Sequence, residues 1–384
     1  MFVAHVQLLG SDIEDAFIYR TVLYCWTYRK TLRIYQVADL ESALAATAGG
    51  EGLAAAYCLF HHRGIGSSGE QSAAYRAIRN TPGTTIPIDP ESVPYIEVDI
   101  QAESGSVLDM LIYYDRMFLA ADGGLFQIDD LEGLTLGQSQ VKARQRVRST
   151  CYSASSGLGA VGASCGDKGL TVLMSVFDDG ADGSASRAKV ADVSIASQIG
   201  YGTVVNHLSR PEVELLACET RGDPIRGNVI SHVKRQRSRE RFSVADSPDL
   251  SGGNTRRSDL LFWDRGRLLS LGGGDIASIS VVRRGHDRRV NRLRHVTEIP
   301  GDARVISASR SDGCLVIEMT DKIVLTSSGY EEDLRIVEAG PVVAMRTFPN
   351  SVRYRKLTAY TNDDGLSLLG VTRSERPDGE WLNY

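Results

Sequence analysis

The chain has 384 residues, 42% of them hydrophobic and 24% charged, with a formal net charge of −5 at pH 7. That balance belongs to a folded globular protein and excludes collagen-like and disordered classes. No stretch of 18 consecutive apolar residues occurs, so no membrane-spanning segment is expected.

In chain order, residues 1–15, MFVAHVQLLGSDIED, lack a basic leader region and reach Asp12 early, so no signal peptide is expected and the cytoplasm is the expected location. Residues 2–9 read as a strand. Residues 21–37, TVLYCWTYRKTLRIYQV, read as a hairpin turning near Tyr28. Residues 38–93 break the pattern: an apolar run at 53–60, a helix-like piece at 70–78 and three prolines (Pro82, Pro87, Pro90), but no hairpin. This segment is read as an insertion with one short helix that leaves the rest of the fold, so that deleting it should leave a folded protein.

From there hairpins recur. Turns fall at Asp122-Gly123, Asp167-Lys168-Gly169, Arg210-Pro211, Arg265-Gly266, Asp312-Gly313 and Asp364-Gly365, at a mean spacing of about 48 residues. Asp-Gly suits a tight turn because glycine takes positive φ without steric cost and aspartate tolerates it. The stretches at 95–114 and 332–348 each read as a strand, a short link and another strand. A period of 40 to 50 residues with several strands per unit resembles the β-propeller superfamily. The fold expectation is therefore an all-β propeller forming a single domain over 1–384. Seven blades of about 48 residues plus the 38–93 insertion is the first reading, and eight blades is the alternative. The resemblance is one of architecture: WD40, kelch and Asp-box signatures are absent, so it implies no site residues.

Several local motifs match chemistry in letters only. GLGAVG (157–162) fits a dinucleotide-binding pattern, but a β run follows where a helix N-terminus must face the pyrophosphate. GASCG (162–166) would make Ser164 a nucleophile, again without the helix that its strand-to-helix turn requires. Ser186 and Lys189 have no companion motifs. DDGADGSAS (178–186) has Gly180 at the third position of a calcium loop and Lys189 at the twelfth, where a bidentate glutamate is needed. His61 and His62 are adjacent and would face opposite sides of a strand. The six cysteines (Cys25, Cys58, Cys151, Cys165, Cys218, Cys314) form no C-x-x-C pair and read as buried, reduced thiols. No metal, cofactor or catalytic residue is expected.

Charge is more informative. Residues 221–300 hold 17 Lys and Arg against 9 Asp and Glu, a net of +8, inside an otherwise acidic chain. Two runs dominate, HVKRQRSRER (232–241) and RRGHDRRVNRLR (283–294), about one period apart. They nominate Lys234, Arg235, Arg237, Arg239 and Arg241, together with Arg283, Arg284, Arg288, Arg289, Arg292 and Arg294, as one partner-binding surface. The functional expectation is a non-enzymatic interaction or scaffold subunit that binds another protein. One alternative is a nucleic-acid-binding accessory subunit, although neither run carries the interleaved aromatic residues that stack on bases. The other is a propeller hydrolase or lyase with its site in the central channel. The partner's identity and the oligomeric state are not written in the sequence.

Overall fold

A computed structural model of the chain describes residues 2–10, 12–61, 85–101, 105–137, 139–157, 160–166 and 170–176. Beyond these it describes the strands between 189 and 298, then 305–311, 314–327, 334–348, 351 and 353–372. Among these residues the secondary structure is strand, apart from a helical segment at Val37–Phe60, a short helix at Leu131–Thr135 and a 3-10 turn at Pro90–Ser92. The strands assemble into seven sheets, and the described contacts divide into two compact units, 1–99 with 303–384, and 100–302.

In the first unit, Ile13–Tyr19, Val22–Thr27, Thr31–Gln36 and Tyr95–Gln101 follow one another across a sheet. Val305–Ser311, Cys314–Met319, Lys322–Ser327 and Leu334–Glu338 form another antiparallel meander. Their second strands, VLYCWT and CLVIEM, are buried at every position. A strand covered on both faces needs a continuous apolar run rather than alternation, which is what these sequences supply. The third sheet joins the chain ends. Phe2–Leu9, read from the sequence as a strand, pairs antiparallel with Gly365–Thr372, Phe2 opposite Thr372 and Leu9 opposite Gly365. This pairing covers an edge that would otherwise expose a row of free backbone groups.

Thr85–Ile88 adds to the other side of Phe2–Leu9 in parallel. Pro87 is tolerated there because an edge strand needs no donor on its open side. His5 lies between these strands. Its Nδ1 is 2.9 Å from the Thr85 hydroxyl and its Nε2 is 3.2 Å from the Tyr360 hydroxyl. Burial lowers its pKa to about 4, below the usual 6.5. As pH falls, the unfolded chain therefore takes up this proton first. The stabilisation is complete above pH 6.5 and is lost between 6.5 and about 4, amounting to roughly 2–3 kcal/mol. Urea unfolding of the wild type and His5→Gln checks this: the stability gap between them should shrink by about 2 kcal/mol from pH 7.5 to pH 4. A constant gap would contradict it.

A helical segment runs over Val37–Phe60 with a break at Gly49; the helix-like piece expected at 70–78 lies outside the described residues. Leu40, Leu44, Ala54, Ala55, Ala56, Leu59 and Phe60 are buried in one core cluster with Val6, Leu8, Leu366 and Leu368. At Gly370 an added Cβ would lie 3.0 Å from the Cys58 carbonyl oxygen, so helix and strand backbones nearly touch. Arg353 Nε donates to the Phe60 carbonyl at 3.0 Å, placing a cation at the helix C-terminus, where the dipole favours it. By length and hydropathy this helix would pass for a membrane span; Leu40, Leu44 and Leu59 lie in the protein core, while Leu53 is exposed. The buried residues of 37–60, with Ile86, Ile88 and Val93, thus belong to this core. The sequence obscures this because an alanine-rich helix apolar around much of its circumference shows no single stripe.

In the second unit the sheets are again four-stranded meanders. Val107–Tyr113, Arg116–Ala121 and Gly124–Ile128 are completed by Arg144–Val147. Then come Ser153–Gly157, Ala160–Ser164, Leu170–Val176 and Lys189–Ile195. Thr203–Ser209, Glu214–Glu219, Gly227–Val233 and Arg241–Asp246 follow. The last sheet is Leu260–Asp264, Arg267–Gly272, Asp275–Arg284 and Asp287–Glu298. The first strands of successive sheets touch in chain order, Val107–Tyr113 to Ser153–Gly157 to Thr203–Ser209 to Leu260–Asp264.

Candidate interaction surface

Both basic runs sit at the same topological place. The run 232–241 spans the connection from the third strand, Gly227–Val233, to the fourth, Arg241–Asp246, of one sheet. The run 283–294 occupies the equivalent connection in the next sheet. Arg241 opens its strand opposite Val233. Lys234, Arg235, Arg237 and Arg239 lie outside the described residues.

The second run is carried by an unusually long hairpin. Its strands have 10 and 12 residues, against 5 and 6 for the first two strands of the same sheet. Pairing with the second strand stops at Leu268 opposite Ile279. Beyond that point five further rungs continue as a two-stranded ribbon, from Ser280 opposite Asn291 to Arg284 opposite Asp287. Arg289 stands opposite Val282 and Arg288 opposite Arg283. Arg292 stands at the ribbon's base opposite Ile279, and Arg294 falls in a bulge between Leu293 and His295. The sequence located the charge but not the ribbon, because ladder length is set by pairing partners rather than by composition.

In GLGAVG, Gly157 ends one strand and Gly162 lies within the next, Ala160–Ser164. Ser164 is fully buried at the end of Ala160–Ser164. His61 Nε2 is 3.1 Å from Glu41 Oε1 at the end of the long helix. Residues 178–188 and His62 lie outside the described residues. Among the described residues no group of three or more His, Cys, Asp or Glu side chains is placed to hold a metal ion. The buried carboxylate of Asp15 is taken by Arg346, whose Nε donates to Oδ1 at 2.7 Å while Nη2 donates to Oδ2. This bidentate pair ties Ile13–Tyr19 to Ala344–Thr347.

Comparison with known proteins agrees with this architecture. No model of a protein family matches the chain, and no curated protein does. Among solved structures, the β-propeller domain of Cps50 (Swd1) from Myceliophteria thermophila is similar over 95% of this chain and 98% of that one, with a TM-score of 0.52 and 11% identity. The chain is a β-propeller. The computationally designed Ika8 protein matches over 95% of this chain and 99% of its own at 10% identity and a TM-score of 0.48. The AfRom2 CNH domain matches over 70% of this chain and 95% of its own at 13% identity and 0.34. At such identities the likeness concerns fold alone. A propeller offers rigid loops and hairpins on a scaffold without long open edges, so the site must be argued from its own residues.

Proposed function

We propose that this propeller is a cytoplasmic, non-enzymatic interaction subunit whose basic surface, Lys234 to Arg241 with Arg283 to Arg294, binds an acidic face of another protein. The observation that carries the reading is the placement of both runs at the same connection of two consecutive sheets, one of them on an arginine-bearing ribbon. Charge of one sign concentrated on an extended element steers an oppositely charged partner and speeds encounter. The ribbon also favours one second reading. A two-stranded β-ribbon fits the major groove of duplex DNA, so an accessory nucleic-acid role is the alternative.

The test replaces Lys234, Arg235, Arg237, Arg239 and Arg241 by Ser and Gln, and separately Arg283, Arg284, Arg288 and Arg289 by Gln. Each variant is compared with wild type for melting temperature and for binding to polyglutamate and to duplex DNA. Affinity for the acidic polypeptide should fall roughly tenfold or more while melting is unchanged. Unchanged binding to both probes, or a large fall in melting temperature, would return these arginines to a structural role. Binding confined to DNA would favour the alternative.

A further inference from the structure

The second unit brings together two cysteines that are 14 residues apart in sequence. Ser153–Gly157 and Ala160–Ser164 form a hairpin in which Ser153 stands opposite Ser164. Cys151 and Cys165 lie just beyond its open end, with their sulfurs 3.5 Å apart. The backbone is fixed on both sides. Cys151 N–H donates to the Ala121 carbonyl at 2.9 Å, and Tyr152 N–H donates to the Ser164 carbonyl at 2.9 Å. Gly166, at φ +56°, lies under the Tyr152 ring, where an added Cβ would come within 2.8 Å of ring carbon Cε2. Both thiols are buried, at 0% and 4% exposure.

We propose that Cys151 and Cys165 are a reversible two-electron oxidation site, closing into a disulfide when the protein meets a small peroxide. The sulfurs need approach by only about 1.5 Å to reach bonding distance, which side-chain rotation can supply. This inference is independent of the interaction reading. Cys165 is the sulfur that attacks. The two sulfurs share a hydrogen bond in which either can donate. Cys151 Sγ also donates to the Ser149 carbonyl at 3.2 Å, which favours its thiol, whereas Cys165 Sγ lies 3.9 Å from the Thr171 hydroxyl, which favours its thiolate against burial. Its thiolate attacks hydrogen peroxide, an S–O bond forms, the O–O bond breaks, and hydroxide leaves to take a proton. The sulfur, oxidised by two electrons, is then a sulfenic acid. The Cys151 sulfur attacks it, the S–S bond forms, and the S–O bond breaks. The departing hydroxide carries off the Cys151 proton as water. Two thiols and one peroxide thus give one disulfide and two waters, and a small dithiol reverses the change.

The chain itself supplies a convenient assay, because trypsin cutting after Arg148 and Lys168 leaves both cysteines in one peptide, 149–168. The native protein is treated with millimolar hydrogen peroxide, denatured in iodoacetamide, digested and weighed. Peptide 149–168 should be lighter by two hydrogens and carry no label, and dithiothreitol before labelling should restore two labels. Peptides with Cys25 and Cys314 should stay labelled. The oxidised protein should melt roughly 2–5 °C above the reduced one. In Cys151→Ser, Cys165 should accumulate sulfenic acid that dimedone traps. The wild-type mass result stands if that variant fails to fold. Two labels retained on 149–168 after peroxide would overturn the proposal, as would bridging only after denaturation or oxidation of Cys165 to sulfinic acid without a bridge.

Discussion

Deleting residues 38–93 and rejoining the chain with a short linker is expected to abolish cooperative folding. Leu40, Leu44, Leu59 and Phe60 are each no more than 1% exposed. A single buried leucine-to-alanine change costs about 2–5 kcal/mol. A whole domain holds only about 5–15 kcal/mol in reserve. Removing all four therefore exceeds what remains, before counting the loss of Thr85–Ile88 from the edge of Phe2–Leu9. The deletion also uncovers the apolar face of Leu366 and Leu368, a surface prone to aggregation. Thermal melting followed by circular dichroism checks this. A broad, non-cooperative signal or insoluble product is expected, and a sharp transition within a few degrees of wild type would contradict it. Leu44→Asp places a charge in the same core and should act in the same direction without altering chain length.

Asp15→Ala is expected to destabilise the first unit by about 3–5 kcal/mol, because it takes a buried, bidentate carboxylate away from the half-buried Arg346 guanidinium. The Asp15 and Arg346 side chains are 8% and 16% exposed, so water cannot fully replace the lost carboxylate. The same seam holds a Phe17–Phe348 edge-to-face contact at 5.3 Å and a bond from the Thr361 hydroxyl to the Glu14 carbonyl at 2.7 Å. These two contacts should survive the substitution, so the loss belongs to the ion pair. Pairing Asp15→Ala with Arg346→Met should recover much of the stability, since an apolar pair avoids the desolvation of both charges. Denaturant midpoints of the two single variants and the double variant measure this directly. Equal costs for Asp15→Ala and the double variant would show that the pair itself matters little.

The repeat was legible because turns are chemically marked: Asp122-Gly123 lies between Arg116–Ala121 and Gly124–Ile128. Arg210-Pro211 and Arg265-Gly266 likewise fall between paired strands. Part of the uneven spacing of these turns has a structural cause. The turns at 122, 167 and 364 join the second and third strands of their sheets, whereas those at 210, 265 and 312 join the first and second. All antiparallel hairpins look alike in sequence, so position within a sheet is invisible. The helix at Val37–Phe60 was hidden by its uniform apolarity, and the parallel strand Thr85–Ile88 by its four-residue length and its proline. At the candidate surface the arginines were plain from composition, but the five-rung ribbon depends on pairing that no local pattern encodes. Cys151 and Cys165 were read as isolated thiols because only the hairpin register brings them together.

The salt dependence of binding, measured on wild type and on the Arg283, Arg284, Arg288 and Arg289 to Gln variant, tests the proposed surface most directly. For polyglutamate, wild-type association should slow as salt rises, with a much weaker salt response in the variant. For duplex DNA a log–log affinity slope near −5 would mean that about six phosphates are neutralised, and would favour the nucleic-acid alternative. If wild type and variant show the same salt response toward both probes, the arginines of the ribbon are not the binding surface.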